Sequence, residues 1–269
     1  MSQGKYKFLD LFKLDGEMAI ITGGMGMLGT EYSETLLDAG AKVGIFDISI
    51  TNLNEKLKEL KKGGNLYFYQ VDITNKNSVI DALEKAKKEI GIPTILINNA
   101  GIDVPPYSSL EENKYFENYS EESWEKVVDS HLKGMFFCCQ VIGGCMAKNK
   151  GGSIINISST YGIVSPDQRI YEYRPEGFVK PISYSVAKSG VLNLTRYLAT
   201  YWAKKKVRVN TLTLGGVLNN QDSQFVKNYS ERTPLGRMAN RDEYNGAILF
   251  LASKASSYMT GANPVSYTH

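Results

Sequence analysis

Short, apolar, β-branched runs alternate along this chain with longer stretches whose apolar positions recur at helical spacing. Residues 19–22, 42–46, 66–71, 94–97, 153–157 and 208–214 have the length and composition of buried strands. The stretches 30–39, 77–90, 122–148, 183–204 and 242–252 are long enough for crossover helices. Strand and helix taken alternately predict an α/β protein: one doubly wound parallel sheet with helices on both faces. No repeat, low-complexity tract or Pro/Gly/Ser linker cuts the pattern, so residues 14–269 are expected to form one domain after an N-terminal extension at 1–13. Two stretches break the rhythm. Residues 102–120 and 162–182 are rich in Tyr, Pro and charge, and each follows a strand. In an open parallel sheet such loops surround the ligand crevice, which makes them the expected substrate walls.

Composition narrows the chemistry. The 31 basic and 28 acidic residues leave a net charge of +3, and the lysines are spread along the helical stretches, which points to solvated helix faces and not to nucleic-acid binding. No run approaches the roughly 18 apolar residues of a membrane span. The first 13 residues mix charges with aromatics where a signal peptide would carry an apolar core, so a cytoplasmic protein is expected. Cys138, Cys139 and Cys145 fall on one apolar helical stretch, as buried reduced thiols do. With only His131 and His269 as histidines, a zinc site or a Ser-His-Asp hydrolase has almost nothing to build on, and no metal is expected.

The first strand runs straight into Thr22-Gly23-Gly24-Met25-Gly26-Met27-Leu28-Gly29, and a helical stretch follows. Glycines let a backbone turn tightly and approach a pyrophosphate, which the N–H groups and positive end of the next helix then hold. The second strand ends in Asp47. A carboxylate there accepts hydrogen bonds from both adenosine-ribose hydroxyls and repels a 2′-phosphate, which argues for NAD(H) over NADP(H). Asp72 after the third strand and Asn98-Asn99-Ala100-Gly101 after the fourth fall on the same edge of the sheet.

Tyr184 and Lys188 stand at i and i+4, on one face of a helix that follows the strand ending in Ser158-Ser159. Tyr201 and Lys205 have the same spacing with no such context. Reducing a carbonyl by hydride needs a proton donor at the developing alkoxide. A tyrosine, with its ordinary pKa near 10, suits neutral pH only if nearby cations lower it.

Together, the glycine turn, Asp47, the Asn-Asn-Ala-Gly turn, Ser159, Tyr184 and Lys188 resemble the short-chain dehydrogenase/reductase family from about residue 14 to 261. The resemblance implies a Rossmann-type fold and a homo-oligomer, dimer or tetramer, with helices 122–148 and 183–204 as its interface. It implies a small secondary-alcohol or ketone substrate. Tyr184 would be the general acid/base, Ser159 would orient the substrate oxygen, and Lys188 would bind the nicotinamide ribose while tuning Tyr184. Gly23, Gly24, Gly26, Met27, Leu28, Gly29, Asp47, Asp72, Ile73, Asn99, Ala100, Gly101, Val217 and Asn219 would surround the cofactor. His131 takes the place of the family's usual Asn and joins the catalytic set as a relay-lining or core residue.

Other departures from the family pattern are Met27 in place of a glycine, Leu214-Gly215-Gly216 in place of Pro-Gly, and Asn219 where a Thr often meets the carboxamide. The segment between Ser159 and Tyr184 is longer than usual and carries Arg169, Tyr171, Tyr173, Arg174 and Lys180. It is either a wall for a polar or anionic, sugar-like substrate or an oligomer contact. The C-terminal 263–269 replaces the family's Asp-Gly-Gly turn, so an altered last strand is expected. Two competing functions share these residues: a catalytically weak dinucleotide-binding regulator, and a 3-oxoacyl-carrier-protein-type reductase.

Overall fold

The computed structural model describes residues 7–102, 115–174 and 178–266. Residues 103–114 and 175–177 of the two expected substrate walls lie outside the described residues, as do 1–6 and 267–269 at the termini.

Seven strands form one sheet: β1 (Met18–Thr22), β2 (Lys42–Asp47), β3 (Leu66–Gln70), β4 (Ile95–Asn98), β5 (Gly152–Ser159), β6 (Val207–Leu214) and β7 (Val265–Ser266). Their order is β3-β2-β1-β4-β5-β6-β7, and every pair is parallel. The order reverses between β1 and β4, which opens a crevice at the carboxyl ends of those two strands.

Strand periodicity decides which residue faces which helix layer. All of β1 is buried. Ile20 joins Leu96, Ile154 and Val209 on the face covered by helices Lys76–Glu89, Glu121–Lys148 and Ile182–Tyr201. Its neighbour Ile21 joins Ile97, Ile155 and Leu212 on the opposite face, under helices Met27–Asp38, Glu55–Lys62 and Asn245–Ala252. Strands covered on both faces read as continuous apolar runs, which is why six of them are visible in the sequence.

Two features depart from the sequence pattern. Helices Glu55–Lys62 and Ser223–Ser230 lie outside the expected set; each is eight residues long and each starts from a side-chain cap, Asn54 accepting from the Leu57 N–H and Asp222 from the Phe225 N–H. The long helix from Glu121 contains two π turns, Asp129–Lys133 and Cys139–Gly143, before it ends at Lys148. The last strand, described over Val265 and Ser266, pairs with Thr213 and Leu214.

A buried polar chain crosses the sheet beneath the crevice. Asn98 Nδ2 donates to Asn156 Oδ1 at 2.8 Å, Asn156 Nδ2 donates to Thr195 Oγ1 at 2.9 Å, and Thr211 Oγ1 meets Thr195 Oγ1 at 2.8 Å. It ties β4, β5, β6 and the helix Ile182–Tyr201 to one another. Stranding any one of these buried groups costs about 1–3 kcal/mol, so the relative positions of those four elements are narrowly set.

Candidate functional site

A cleft of about 850 Å³ runs along the carboxyl edge of the sheet across the β1/β4 crevice. The sequence-predicted site residues Gly23, Gly26, Met27, Leu28, Asp47, Asp72, Ile73, Asn99, Ala100, Gly101, His131, Ser159, Tyr184, Lys188, Val217 and Asn219 all line it. Gly24 and Gly29 stand behind the lining, and they shape it.

At the nucleotide end, three glycines are required by packing. A Cβ on Gly23, whose φ is +63°, would lie 2.8 Å from the Ala100 Cα. One on Gly24 would meet Ile45 at 2.7 Å, and one on Gly29 would meet the Gly23 carbonyl at 2.4 Å. The turn is thereby pressed against β2, β4 and its own helix. At Gly26 a Cβ would meet the Gly23 carbonyl at 3.3 Å, and Met27 stands as the first residue of the helix that follows. Helix Met27–Asp38 begins at once with Gly26 as N-cap and no side-chain cap, so its first turn presents backbone N–H groups and a positive dipole end to the cleft.

Two contacts lock the turn that the sequence did not reveal. Thr22 Oγ1 accepts from the Asn99 and Ala100 N–H groups, each at 3.1 Å, while Asn99 Nδ2 donates to the Thr22 and Gly23 carbonyls. The Asp47 carboxylate accepts from the Met25 N–H at 3.0 Å and from the Ser49 N–H at 3.3 Å. Asp47 therefore braces the glycine turn from the next strand and holds a charge at the cleft. Asp72 is turned to solvent and occupied by Thr74, accepting from its N–H at 2.9 Å and its hydroxyl at 2.7 Å.

A dinucleotide fits this end on three observations: the cradle that side chains would fill, the uncapped helix start, and a carboxylate at the tip of β2. Those residues would hold its pyrophosphate and adenosine ribose.

At the other end, Tyr184 and Lys188 project from the first turns of helix Ile182–Tyr201. Lys188 is 4% exposed, and its ammonium donates to the Ile157 carbonyl at 2.9 Å while standing 5.8 Å from the centre of the Tyr184 ring. The two serines at the end of β5 point apart. Ser158 Oγ donates to the Lys188 carbonyl at 2.9 Å, whereas Ser159 Oγ accepts from the Tyr161 N–H at 3.3 Å, which leaves the Ser159 proton available to donate.

His131 sits in the first π turn of its helix, edge-on to Tyr184 with ring centres 5.2 Å apart and planes at 88°. Its Nε2 meets the Ile102 carbonyl at 2.6 Å, and the preceding Ser130 Oγ accepts from the Ile102 N–H at 3.3 Å. Consecutive residues of the π turn thus hold both polar groups of one loop residue. As donor to that carbonyl, Nε2 carries the proton, so the buried and otherwise unpartnered Nδ1 is an acceptor. Gly101 makes room for the ring, since a Cβ there would lie 2.1 Å from His131 Cε1. Burial, reinforced by the positive charge of Lys188 and then of Lys180, pushes the imidazole pKa down to about 3, against its weaker raising by the Ile102 hydrogen bond. It is neutral at every pH where such a protein works.

The insertion between Ser159 and Tyr184 divides into two parts. Arg169 pairs with Asp167, and Tyr173 and Arg174 bind Asp222; none of the three lines the cleft. Tyr171 and Lys180 do line it. Tyr171 is packed among Phe178, Phe225 and Tyr229, which docks the segment on helix Ser223–Ser230. Lys180 is 8% exposed, with its ammonium 4.8 Å from the centre of the Tyr184 ring. On the last wall, Val217 bridges to Ala239, and Asn219 is an exposed rim residue whose N–H donates to Gln221 Oε1.

Among the described residues no group of three His, Cys, Asp or Glu side chains could hold a metal, and no helix is long and apolar enough to cross a membrane. Cys138 and Cys139 are buried and unbonded as disulfides, and burial pushes the Cys139 thiol up to about 12.

A family model described as enoyl-(acyl carrier protein) reductase matches residues 26–266. A sorbose reductase of Candida albicans is 30% identical over 95% of this chain and 87% of its own length. A galactitol 2-dehydrogenase of Rhizobium johnstonii is 32% identical over 93% of both. Among solved structures, a short-chain dehydrogenase from Leptospira borgpetersenii with bound NAD+ superposes with a TM-score of 0.82 at 33% identity, covering 98% of this chain and 96% of that one.

Proposed function

The chain belongs to the short-chain dehydrogenase/reductase family, whose members act on CH–OH groups with a nicotinamide dinucleotide, and from that we propose an NAD(H)-linked interconversion of a secondary alcohol and a ketone on a polyhydroxylated, sugar-like substrate. The observation that carries this reading is the meeting of Ser159, Tyr184 and Lys188 in the same cleft as the glycine turn and Asp47. The polyol and ketose named for the two relatives support the substrate class. A carrier-protein substrate, which the family model's description names, has less support: Asp47 disfavours NADPH.

A bound nicotinamide supplies or accepts the hydride. In the reducing direction Tyr184 gives its phenolic proton to the substrate oxygen, and in the oxidising direction it takes that proton back. Ser159 donates a hydrogen bond to the same oxygen and so fixes its distance from Tyr184. The Lys188 ammonium, held by the Ile157 carbonyl, favours the phenolate and brings the proton affinity of Tyr184 closer to neutral pH. Nine-tenths burial of the cation keeps water from screening that effect. The rest of the proposal is one catalytic domain over 14–269, paired into a homo-oligomer through the exposed Phe136, Val186, Tyr197 and Tyr201 of the two long helices. The test is a panel of alditols and ketoses assayed with NAD+ and NADH by absorbance at the nicotinamide band. Turnover with at least one matched pair is expected; none across the panel would leave a dinucleotide-binding regulator as the better reading.

His131 is assigned a positioning role: it fixes the loop residue Ile102 beside the reacting end and, being neutral, moves no proton. Asn in its place can still donate to the Ile102 carbonyl, so His131→Asn should keep kcat within about fivefold and leave the pH profile unshifted, while His131→Ala should lose roughly ten- to a hundredfold. The linkage has a definite sign. The folded pKa, about 3, lies below the unfolded value of 6.5, so the unfolded chain binds the extra proton between those values and stability falls as pH falls through that window. Urea unfolding should show the wild type losing roughly 2–3 kcal/mol more than His131→Asn between pH 6.5 and 4.5. An equal loss in both would refute the buried neutral imidazole.

A further inference from the structure

Resting on the dinucleotide reading of the cleft, we infer that Tyr229 is a positioning residue for the cofactor. Its hydroxyl clamps the peptide between Gly215 and Gly216 in the wall that follows β6, and its helix ties that clamp to the insertion between Ser159 and Tyr184. Cofactor affinity and the seating of the insertion are thereby coupled through one hydrogen bond.

The Gly215–Gly216 peptide separates two spaces. On one side is the cleft; on the other is a second cavity of about 240 Å³, lined by Thr233, Arg237, Glu243 and Tyr244. Gly215, Gly216 and Tyr229 line both. With a cavity behind it and no side chain on either flank, this peptide is not fixed by close packing. Hydrogen bonds fix it. Its N–H donates to the Tyr229 hydroxyl at 2.7 Å, and its carbonyl accepts from the Tyr244 hydroxyl at 3.2 Å. The outer groups are held by backbone: the Gly215 N–H donates to the Ser266 carbonyl at 3.1 Å, and the Gly216 carbonyl accepts from the Ala239 N–H at 2.9 Å. The bond to Tyr229 is the shortest of the four. The approach is close, since a Cβ on Gly216 would lie 2.7 Å from Tyr229 Cζ. Val217, the next residue, lines the cleft, so a shift of this peptide moves the cofactor wall.

What holds Tyr229 in turn is the insertion. Tyr229 stands near the end of helix Ser223–Ser230, whose N-cap is Asp222. The Asp222 carboxylate accepts from the Tyr173 hydroxyl at 2.6 Å and from the Arg174 guanidinium at 3.3 Å, both on the insertion. Asn228 Nδ2 donates to the Ile170 carbonyl at 3.0 Å. Phe225 packs on Tyr171 with ring centres 5.8 Å apart, and Tyr171 lines the cleft. The insertion therefore holds the start and middle of this helix, and Gly216 meets its end. Eight helical residues span only about 12 Å and shift as one body, so a release at Asp222 is felt at Gly216 without contact between them.

The test is a double-mutant cycle on NADH affinity, read by fluorescence titration of the wild type, Tyr173→Phe, Tyr229→Phe and the pair. Both substitutions keep the ring and remove only a hydroxyl, and the two hydroxyls share no partner. Circular-dichroism melting sets a temperature at which all four proteins are folded. Tyr229→Phe strands the Gly216 N–H and should weaken NADH binding by roughly tenfold. Tyr173→Phe, at a residue outside the cleft lining, should weaken it by about threefold. Arg174→Met loosens the same anchor and should repeat the Tyr173→Phe result. In the pair the Tyr173 effect should vanish, leaving the affinity of Tyr229→Phe alone. A role in stability only would lower the melting temperature of Tyr229→Phe and leave its NADH affinity unchanged, which overturns the assignment. Effects that multiply in the pair, to about thirtyfold, would overturn the coupling and leave the cofactor reading intact. Absence of NADH binding by the wild type would overturn that reading and the assignment with it.

Discussion

Tyr184→Phe should reduce kcat by about 10²- to 10⁴-fold in both directions while NADH still binds. The substitution removes one oxygen and keeps the ring that packs edge-on against His131 and lies beneath Lys180. Fold and cofactor site should be untouched, because the glycine turn, Thr22, Asp47 and Asn99 are organised from β1, β2 and β4 without help from this helix. Stopped-flow measurement of the hydride step, beside intrinsic fluorescence titration with NADH, separates the two effects. Retained turnover in Tyr184→Phe would mean that another group supplies the proton. His131 could not, since burial holds it neutral.

The second large effect is expected at Asp47, where charge and geometry can be pulled apart. The carboxylate both supports the Met25 N–H and offers acceptor oxygens at the tip of β2. Hydrogen bonds to a charged acceptor are worth about 1.5–3 kcal/mol each, so Asp47→Ala should weaken NADH binding by roughly ten- to a hundredfold and loosen the turn. Asp47→Asn keeps an oxygen for Met25 but removes the repulsion of a 2′-phosphate. NADPH should then gain on NADH by at least tenfold, with Tm nearly unchanged. Equal affinity for the two nucleotides in the wild type would remove the NAD preference from the proposal.

The six longer strands and the order in which helices separate them are legible because buried parallel strands cannot hide their composition. The short helices Glu55–Lys62 and Ser223–Ser230 are not, since eight residues give too few turns for a period to stand out and their starts depend on single caps. The glycine turn was legible as a motif. Which of its glycines packing requires was not, because that depends on what a Cβ would strike: Ala100 at Gly23, Ile45 at Gly24 and the Gly23 carbonyl at Gly29. In the insertion, five polar or aromatic residues looked equivalent along the chain. Only folding separates Lys180 and Tyr171, which reach the cleft, from Arg169, Tyr173 and Arg174, which spend their polar groups on Asp167 and Asp222.

By itself the sequence determined the layered sheet, the edge on which the crevice opens, and the candidate residues that line it. These follow from periodicities of two and 3.6 residues and from spacings within single elements, which are local properties of a chain. The tertiary structure alone decided what each of those groups faces: that Ser158 turns inward while Ser159 keeps a proton to donate, that Ser130 and His131 hold the N–H and the carbonyl of one residue, Ile102, and that Lys180 shares the Tyr184 ring with Lys188. The reason is distance along the chain. The Ser158 contact with Lys188 spans 30 positions, and those of Ser130 and His131 with Ile102 span 28 and 29, each between different elements; burial, which sets the charge of His131 and the reach of both lysines, exists only once those elements have packed.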